Sequence, residues 1–515
     1  MDIGYLTRRT TRSLDTLDPR ASALKLESEA SWTHRDLHLR SNAYANALCE
    51  MGVRKGDRVG ILLHNCLEYW ALYFAVAKLG GIAVRLNFRL SSDEFAYVLN
   101  DSGTKVLCFH SNLAGRIDGI KDSVPVKEYV CFPYERSDAP GWASPSKVLE
   151  DWSTEEVPDP GTRPSDPVML MYTSGTTGRP KGALWTHDGT LWFLAMQQMK
   201  WNFGPDTVYM ASGPLYHVAG IEDLAMPVLL AGGTAVFIKS GGFSIERTLD
   251  VIEKECVTDC HLFPFMIYDL LNSPSLTDRD LSTLRRIFTG GDPVLPWAVE
   301  QLHERLPGVD LVQIYGLTEG TAIATALDPS DVERKGHTIG KPMPLTEIEV
   351  VDEDGKPVAT GKVGEICIRS PAVSPEYWEK PEETASTFVE GWCRTGDLGS
   401  VDEDGYLAIA GRKKDMIRSG GENVYPAEIE GVLIRHPAVE DVAVIGVPDP
   451  KYIEMVCAVI VPKRDEAPTE EEIVEYTTDH LASYKKPRKV VFVDELPRTA
   501  SGKIQKYLLK AEYSS

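Results

Sequence analysis

The sequence predicts an α/β protein: a large N-terminal domain of layered, mostly parallel sheets with helices, an antiparallel barrel-like subdomain, and a small C-terminal α/β domain. Three observations carry this expectation. At 515 residues the chain exceeds the size at which one core keeps growing, so two or more domains are expected. Helical and strand patterns alternate over long stretches, as they do where parallel strands are covered by helices. From Glu347 to Ala410 strand runs are instead separated by Asp-Gly turns, without long helical patterns, which suggests antiparallel strands.

Taken in order, helical patterns run from Ser41 to Met51, Tyr69 to Leu79 and Asp93 to Asn100, and apolar strands from Arg58 to Leu63 and Lys105 to Phe109. The stretch from Ser137 to Asp166 is rich in Pro, Ser and acidic residues and reads as a surface connection. Strands are next expected near Val168 to Tyr172, Val208 to Ala211, Thr234 to Ile238, Asp259 to Phe263, Arg286 to Thr289 and Asp310 to Tyr315. The last hundred residues carry their own apolar runs, Val439 to Val447 and Val456 to Val461. A domain boundary is therefore placed near Arg412 to Asp415, dividing the chain into residues 1–413 and 414–515.

Composition excludes several classes. A net charge of −22 argues against nucleic acid as a partner and against attraction to anionic membranes. The N-terminus has no apolar core of a signal peptide, and the longest uncharged apolar stretch, Leu224 to Ile238, is broken by Pro227 and Gly232-Gly233, so neither a leader nor a membrane span is expected. Nine cysteines without framework spacing suit a reducing cytoplasm. Cys256, Cys260 and His261 lack a second ligand pair and read as ordinary core residues. The repeated Val-Asp-Glu-Asp-Gly at 351–355 and 401–405 reads as a turn signal rather than a calcium loop.

The run Tyr172-Thr-Ser-Gly-Thr-Thr-Gly-Arg-Pro-Lys-Gly182 concentrates what a polyphosphate-binding loop needs. Thr173, Ser174, Thr176 and Thr177 supply hydroxyls, Gly175, Gly178 and Gly182 allow backbone N–H groups to converge on an anion, and Lys181 adds a positive charge. It is not the ordinary P-loop, because Lys181 follows Pro180 and is followed by Gly182 rather than by a helix-opening Ser or Thr. Further blocks follow: Ile314-Tyr-Gly-Leu-Thr-Glu-Gly320, Arg394-Thr-Gly-Asp397, the stretch from Gly411 to Glu430, and Pro497-Arg-Thr-Ala-Ser-Gly-Lys-Ile504.

With these blocks, from about residue 30 to 506, the sequence resembles the adenylate-forming superfamily of acyl-CoA synthetases, nonribosomal adenylation domains and luciferases. It is closest in pattern to stand-alone fatty-acid or aryl acyl-CoA ligases. The resemblance implies that ATP and a carboxylic acid give an acyl-adenylate and pyrophosphate, after which coenzyme A displaces AMP. It makes residues 1–413 the AMP-binding domain and 414–515 a small mobile domain, with Lys414 as the pivot.

By the same resemblance, Lys503 matches the catalytic lysine that bridges substrate carboxylate and α-phosphate, Glu319 the Mg²⁺ ligand, and Thr318 a phosphate contact. Asp397 and Arg412 match positions that bind ribose hydroxyls and phosphate, while Gly290, Gly291, Asp292 and Tyr315 match the adenine slot. His217 matches the aromatic position beside the carboxylate and the thiol entrance. Val218, Ile221, Phe263, Phe265, Phe288 and Gly316 are the expected acyl lining, and Ile221 stands where some fatty-acid members carry a gating Trp. For coenzyme A the implied contacts are Arg89, Gly420, Gly421, Tyr452, Tyr484 and Lys486. Arg85 departs from the family's usual Pro; it either perturbs the loop before Arg89 or places another cation near the thiol donor.

These residues lead to an ATP-dependent acid:CoA ligase acting on a hydrophobic acid, medium or long-chain fatty, aryl or polycyclic, and a homodimer is the default assembly. The alternative acceptor is a free carrier protein. The non-enzyme alternative is a nucleotide-binding regulator, against which stand Glu319, Asp397, Arg412 and Lys503.

Overall fold

The computed structural model describes residues 1–11, 17–135, 137–173, 179–291, 294–419, 422–450, 452–464, 466, 468–498 and 504–514. The chain divides into two compact units. The first comprises residues 1–336, 340–348 and 368–394, and the second residues 337–339, 349–367 and 395–515.

The first unit contains two large sheets. One has seven strands in the order Ser144–Pro145, Glu128–Phe132, Val106–His110, Arg58–Leu62, Ile82–Arg85, Pro167–Thr173, Lys181–Thr186. Its pairs are parallel except the last. The other has nine strands, with parallel strands Ser22–Leu26, Thr234–Phe237, Val208–Ala211, Asp259–His261, Arg286–Gly290 and Asp310–Leu317 in its middle and antiparallel partners at both edges. The expected α/β fold is thus the observed one. One core cluster draws on both sheets, joining Val59, Ile61 and Ala83 to Tyr209, Ala235 and Phe237 through helices His34–Glu50, Leu67–Lys78 and His187–Trp201.

The sequence patterns located the middles of elements better than their ends. The helix expected from Ser41 starts at His34, where Thr33 and Asp36 form a reciprocal capping box. Such a cap satisfies backbone donors that the apolar period does not reveal. Helix Leu67–Lys78 is buried on every face, only Glu68 standing outside the buried set, so it reads as apolar throughout rather than amphipathic. At its end the buried Lys78 ammonium donates to Ser41 Oγ at 2.8 Å and to Asn42, and lies 3.7 Å from the Glu156 carboxylate.

In the second unit, strands Glu422–Val424, Ile417–Ser419, Ile453–Pro462 and Val439–Asp449 form a sheet, with Lys489–Phe492 added alongside Ile453–Pro462. Alternation of side chains splits its core in two. Val442 and Val444 face one apolar cluster with Ile429, Leu433 and Ile473, while Ala443, Ile445 and Val447 face another with Leu496 and Leu509. Helices therefore cover both faces, as the uninterrupted apolar runs imply. Also in this unit, residues 397–401 pair antiparallel with Leu407–Arg412 across the Asp402-Glu-Asp-Gly405 turn.

Two buried histidines of the first unit are held in the neutral form. The His110 Nδ1 accepts the His64 N–H at 2.9 Å, and the His187 Nδ1 accepts the Ile3 N–H at 3.2 Å. Burial pushes the His110 ring down to about 3 and the His187 ring down to about 4, from 6.5. The unfolded chain therefore binds more protons between pH 6.5 and these values, and stability falls as the pH falls through that window. Thermal melts are expected to show a lower midpoint at about pH 5 than at about pH 7, and His187→Gln, which keeps a neutral acceptor, is expected to narrow the difference.

Candidate active site

The hydroxyl-rich loop joins two antiparallel strands at the edge of the seven-stranded sheet. Thr173, the last residue of its strand, pairs in register with Lys181, the first of the next, so the loop between them leaves and returns on one rung. Ser174, Gly175, Thr176, Thr177 and Gly178 lie outside the described residues. Thr173 Oγ1 donates to Glu319 Oε1 at 2.8 Å, and Tyr377 OH donates to the same oxygen at 3.1 Å. The Lys181 ammonium sits 4.6 Å from the centre of the Tyr377 ring. Glu319 is 9% exposed, so its charge is taken from water and answered by hydroxyls. Burial and the neighbouring Glu319 carboxylate push the Tyr377 phenol up. Beside it, the Thr318 carbonyl accepts from Trp185 Nε1 at 2.9 Å.

The second group gathers at the carboxyl ends of the parallel strands, where open α/β sheets place their ligands. Gly290 and Ile314 are register partners on adjacent strands, which sets Gly290 and Gly291 beside Tyr315 and Gly316. A Cβ on Gly316 would lie 2.4 Å from the carbonyl oxygens of Thr321 and Ala322. No side chain fits at that crossing of strands. The Phe263 ring lies against Gly213 and Gly291 and is parallel to Phe265, 6.2 Å away. Phe288, by contrast, is fully buried and packs edge-on against Trp201 at 4.9 Å, so it stands in the core rather than with Phe263. Asp292 lies outside the described residues.

His217 precedes the short helix Val218–Ile221 and is half-buried, its ring 4.9 Å from that of Tyr216. Val218 is nearly buried and Ile221 fully so. Tyr216 meets Phe88 edge-on at 5.2 Å, and the Arg89 guanidinium lies 5.7 Å from the Phe88 ring. Arg89 is thus connected to His217 through two aromatic rings. Arg85 points into the core of the first unit. Its side chain is fully buried and paired with Glu222.

The second unit holds its own set. Asp397 and Arg412 are register partners on adjacent strands, with Arg412 Nε 3.1 Å from Asp397 Oδ1. Asp397 is buried and Arg412 half-exposed. Lys414 is exposed in the turn that follows. The Arg488 guanidinium stacks 4.1 Å from the centre of the Tyr452 ring. Tyr484 is exposed, Lys486 is half-buried, and Lys485 between them is tied to Glu428. Gly420, Gly421 and Lys503 lie outside the described residues.

The family description "AMP-binding enzyme" matches residues 16–378 and "AMP-binding enzyme C-terminal domain" matches residues 428–503. The chain belongs to the AMP-binding enzyme family. Its class is the adenylate-forming acyl-CoA synthetases. It is 39% identical to the indoleacetate–CoA ligase of Aromatoleum aromaticum, over 90% of this chain and 89% of that one. It is 34% identical to the long-chain-fatty-acid–CoA ligase FadD13 of Mycobacterium tuberculosis, over 100% and 99% of the two chains. Among solved structures, the anthranilate CoA ligase AuaEII in complex with anthranoyl-AMP superposes with a TM-score of 0.88 at 30% identity, covering 99% of this chain and 97% of that one.

Within this AMP-binding enzyme, three residues of the described geometry escaped sequence reasoning. Tyr377, in Pro375-Glu-Tyr-Trp378, stands between strands with no functional motif around it. Asn65, whose Oδ1 accepts the Leu215 N–H at 2.8 Å, gives no signal beyond its polarity. Glu222 offers one, as an acid set inside an otherwise apolar stretch. Removing one of the hydroxyls on Glu319 by Tyr377→Phe is expected to lower the unfolding free energy by about 1 kcal/mol, read from the midpoint of a urea titration.

Proposed function

We propose that this AMP-binding enzyme joins a hydrophobic carboxylic acid to coenzyme A through an acyl-adenylate. The observation that carries the reading is that Thr173 and Tyr377 both donate to the Glu319 carboxylate while Lys181, the register partner of Thr173 across the hydroxyl-rich loop, lies over the Tyr377 ring. A carboxylate is a poor acyl donor because oxide is its leaving group. Attack of its oxygen on the α-phosphorus of ATP breaks the bond to pyrophosphate and leaves an acyl group on AMP; the CoA thiolate then attacks the carbonyl carbon and AMP departs.

Each residue has a part in bringing anions together. Lys181 and the loop hydroxyls meet the triphosphate, and Thr318 donates to a phosphate oxygen beside them. Glu319 is suited to Mg²⁺, a hard ion that keeps most of its waters and takes few protein carboxylates. Bound there, the ion neutralises phosphate charge. Gly290, Gly291 and Tyr315 receive the adenine, Asp397 accepts from the ribose hydroxyls, and Arg412, beside it, meets phosphate. Lys503 bridges the substrate carboxylate and α-phosphate.

His217, Val218, Ile221 and Phe263 border the acyl group, and Arg89, Gly420, Gly421, Tyr452, Tyr484 and Lys486 meet coenzyme A. Residues 414–515 turn about Lys414 between the two half-reactions. The aromatic residue Phe263 over the Gly213 and Gly291 backbones, together with the relatives named for indoleacetate and anthranilate, supports an aryl acid as the substrate. Free thiols throughout support a cytoplasmic setting.

Incubation with ATP, Mg²⁺ and a panel of aryl and fatty acids, with and without coenzyme A, is expected to yield acyl-adenylate and then acyl-CoA by mass spectrometry. Adenylate that accumulates while coenzyme A stays unacylated would move the acceptor to a carrier protein. Lys503→Ala is expected to slow pyrophosphate release by about a hundredfold or more while leaving thioester formation from supplied acyl-adenylate nearly intact. Equal loss of both half-reactions would withdraw the role given to Lys503.

A further inference from the structure

Arg85 ends its strand in the seven-stranded sheet, yet its guanidinium reaches the segment that carries His217. Nη1 donates to both carboxylate oxygens of Glu222, at 2.8 and 2.6 Å, and lies 3.1 Å from Met169 Sδ. Nη2 donates to the Leu215 carbonyl and, at 2.5 Å, to the His217 carbonyl. Both charged side chains have 0% exposure, and the guanidinium is bounded by the Tyr69 and Tyr73 rings. Taking such a pair out of water is expensive, and an apolar pair often serves stability as well or better. Stability alone therefore does not account for a buried arginine here. What an apolar pair does not supply is the second arm of the fork, the donor on two consecutive turns of the His217 backbone.

The rest of that segment is held with equal care. Asn65 Oδ1 accepts the Leu215 N–H at 2.8 Å. Gln197 donates to the Glu222 carbonyl at 3.0 Å and accepts the Leu224 N–H at 2.7 Å. A Cβ on Gly220 would meet the Pro214 carbonyl oxygen at 2.4 Å, so the turn is closed too tightly for any other residue. Leu224 takes φ 61° and ψ −43°, and the Ala225 N–H reaches the Asp223 carbonyl at 2.6 Å. That is a γ-turn with positive φ, a strained form that persists where surroundings over-determine it. Burial holds the Asp223 carboxyl up at about 8, which leaves the guanidinium charge to Glu222.

We propose that Arg85 is a positioning residue of the acyl site: its guanidinium, neutralised by Glu222, fixes the Leu215 and His217 carbonyls and thereby sets where the His217 ring and Val218 stand against the acid. This rests on the ligase reading given above. Arg85 touches no reacting atom. Its effect falls on the acid and on thioester formation, and not on ATP, whose proposed contacts Thr173, Lys181 and Glu319 are grouped separately around Tyr377.

Two variants test it. Arg85→Lys keeps the charge opposite Glu222 but replaces the planar fork with a single ammonium. The pair Arg85→Met with Glu222→Leu removes both charges and leaves neither unpaired. In whichever folds, the KM for the acid is expected to rise by about tenfold or more with the KM for ATP within about twofold. An unchanged acid KM in a folded variant, or acid and ATP constants rising together, overturns the proposal. Should neither fold, a crystal structure of the wild-type protein with its acyl-adenylate decides: Arg85 still bonded to both carbonyls, with His217 or Val218 against the acyl group, supports the role, and Arg85 released from them overturns it. A wild-type protein that makes no adenylate with any acid refutes the ligase reading instead, and the place of the His217 turn in crystals of Arg85→Lys then answers the positioning question alone.

Discussion

The first unit depends on a helix that has no solvent face. Leu67–Lys78 contributes Trp70, Tyr73 and Phe74 to a cluster shared by strands of both large sheets. An element in that position must be apolar all round, and it fixes the two sheets against each other. Its ends then acquire tasks. Asn65 and Cys66 lead into it, Lys78 closes it among Ser41 and Asn42, and its tyrosines give the Arg85 guanidinium an aromatic bed. The polar hold on the His217 segment is therefore anchored in the buried core of the first unit.

Three pairs among the candidate site segments follow from strand pairing. Thr173 and Lys181 occupy one rung, Gly290 and Ile314 another, Asp397 and Arg412 a third. Each pair is brought together by the register of neighbouring strands. Glu319 illustrates the electrostatic side: a carboxylate nearly removed from water is tolerable when hydroxyls from two other segments face it. The same oxygen-rich surroundings suit a hard cation.

Much of this was legible in the sequence. The alternating patterns gave the parallel sheets, because periodicity reports burial and burial is what sheets and helices share. Val208–Ala211 came out to the residue. Helix starts did not, since the Thr33 cap works through hydrogen bonds rather than through apolar spacing. Among functional candidates, Thr173, Lys181 and Glu319 stand in contiguous sequence blocks, and the geometry gathers them around Tyr377. Tyr377 and Asn65 were not legible, because a single polar or aromatic residue outside any motif carries no pattern and its partner is set only by folding. Arg85 was visible as a departure, but its direction was not: a strand-end arginine looks the same in sequence whether it faces solvent or the core.

The pairing of Arg85 with Glu222 also bears on how such an enzyme diversifies. Ile221 is apolar and uncharged, so another apolar residue of similar size can replace it without stranding a charge. The next residue has no such freedom, since losing either member of the pair strands a buried charge. Positions 85 and 222 are thus expected to change together in descent, and directed evolution that randomises the His217 helix alone will keep returning to glutamate at its end.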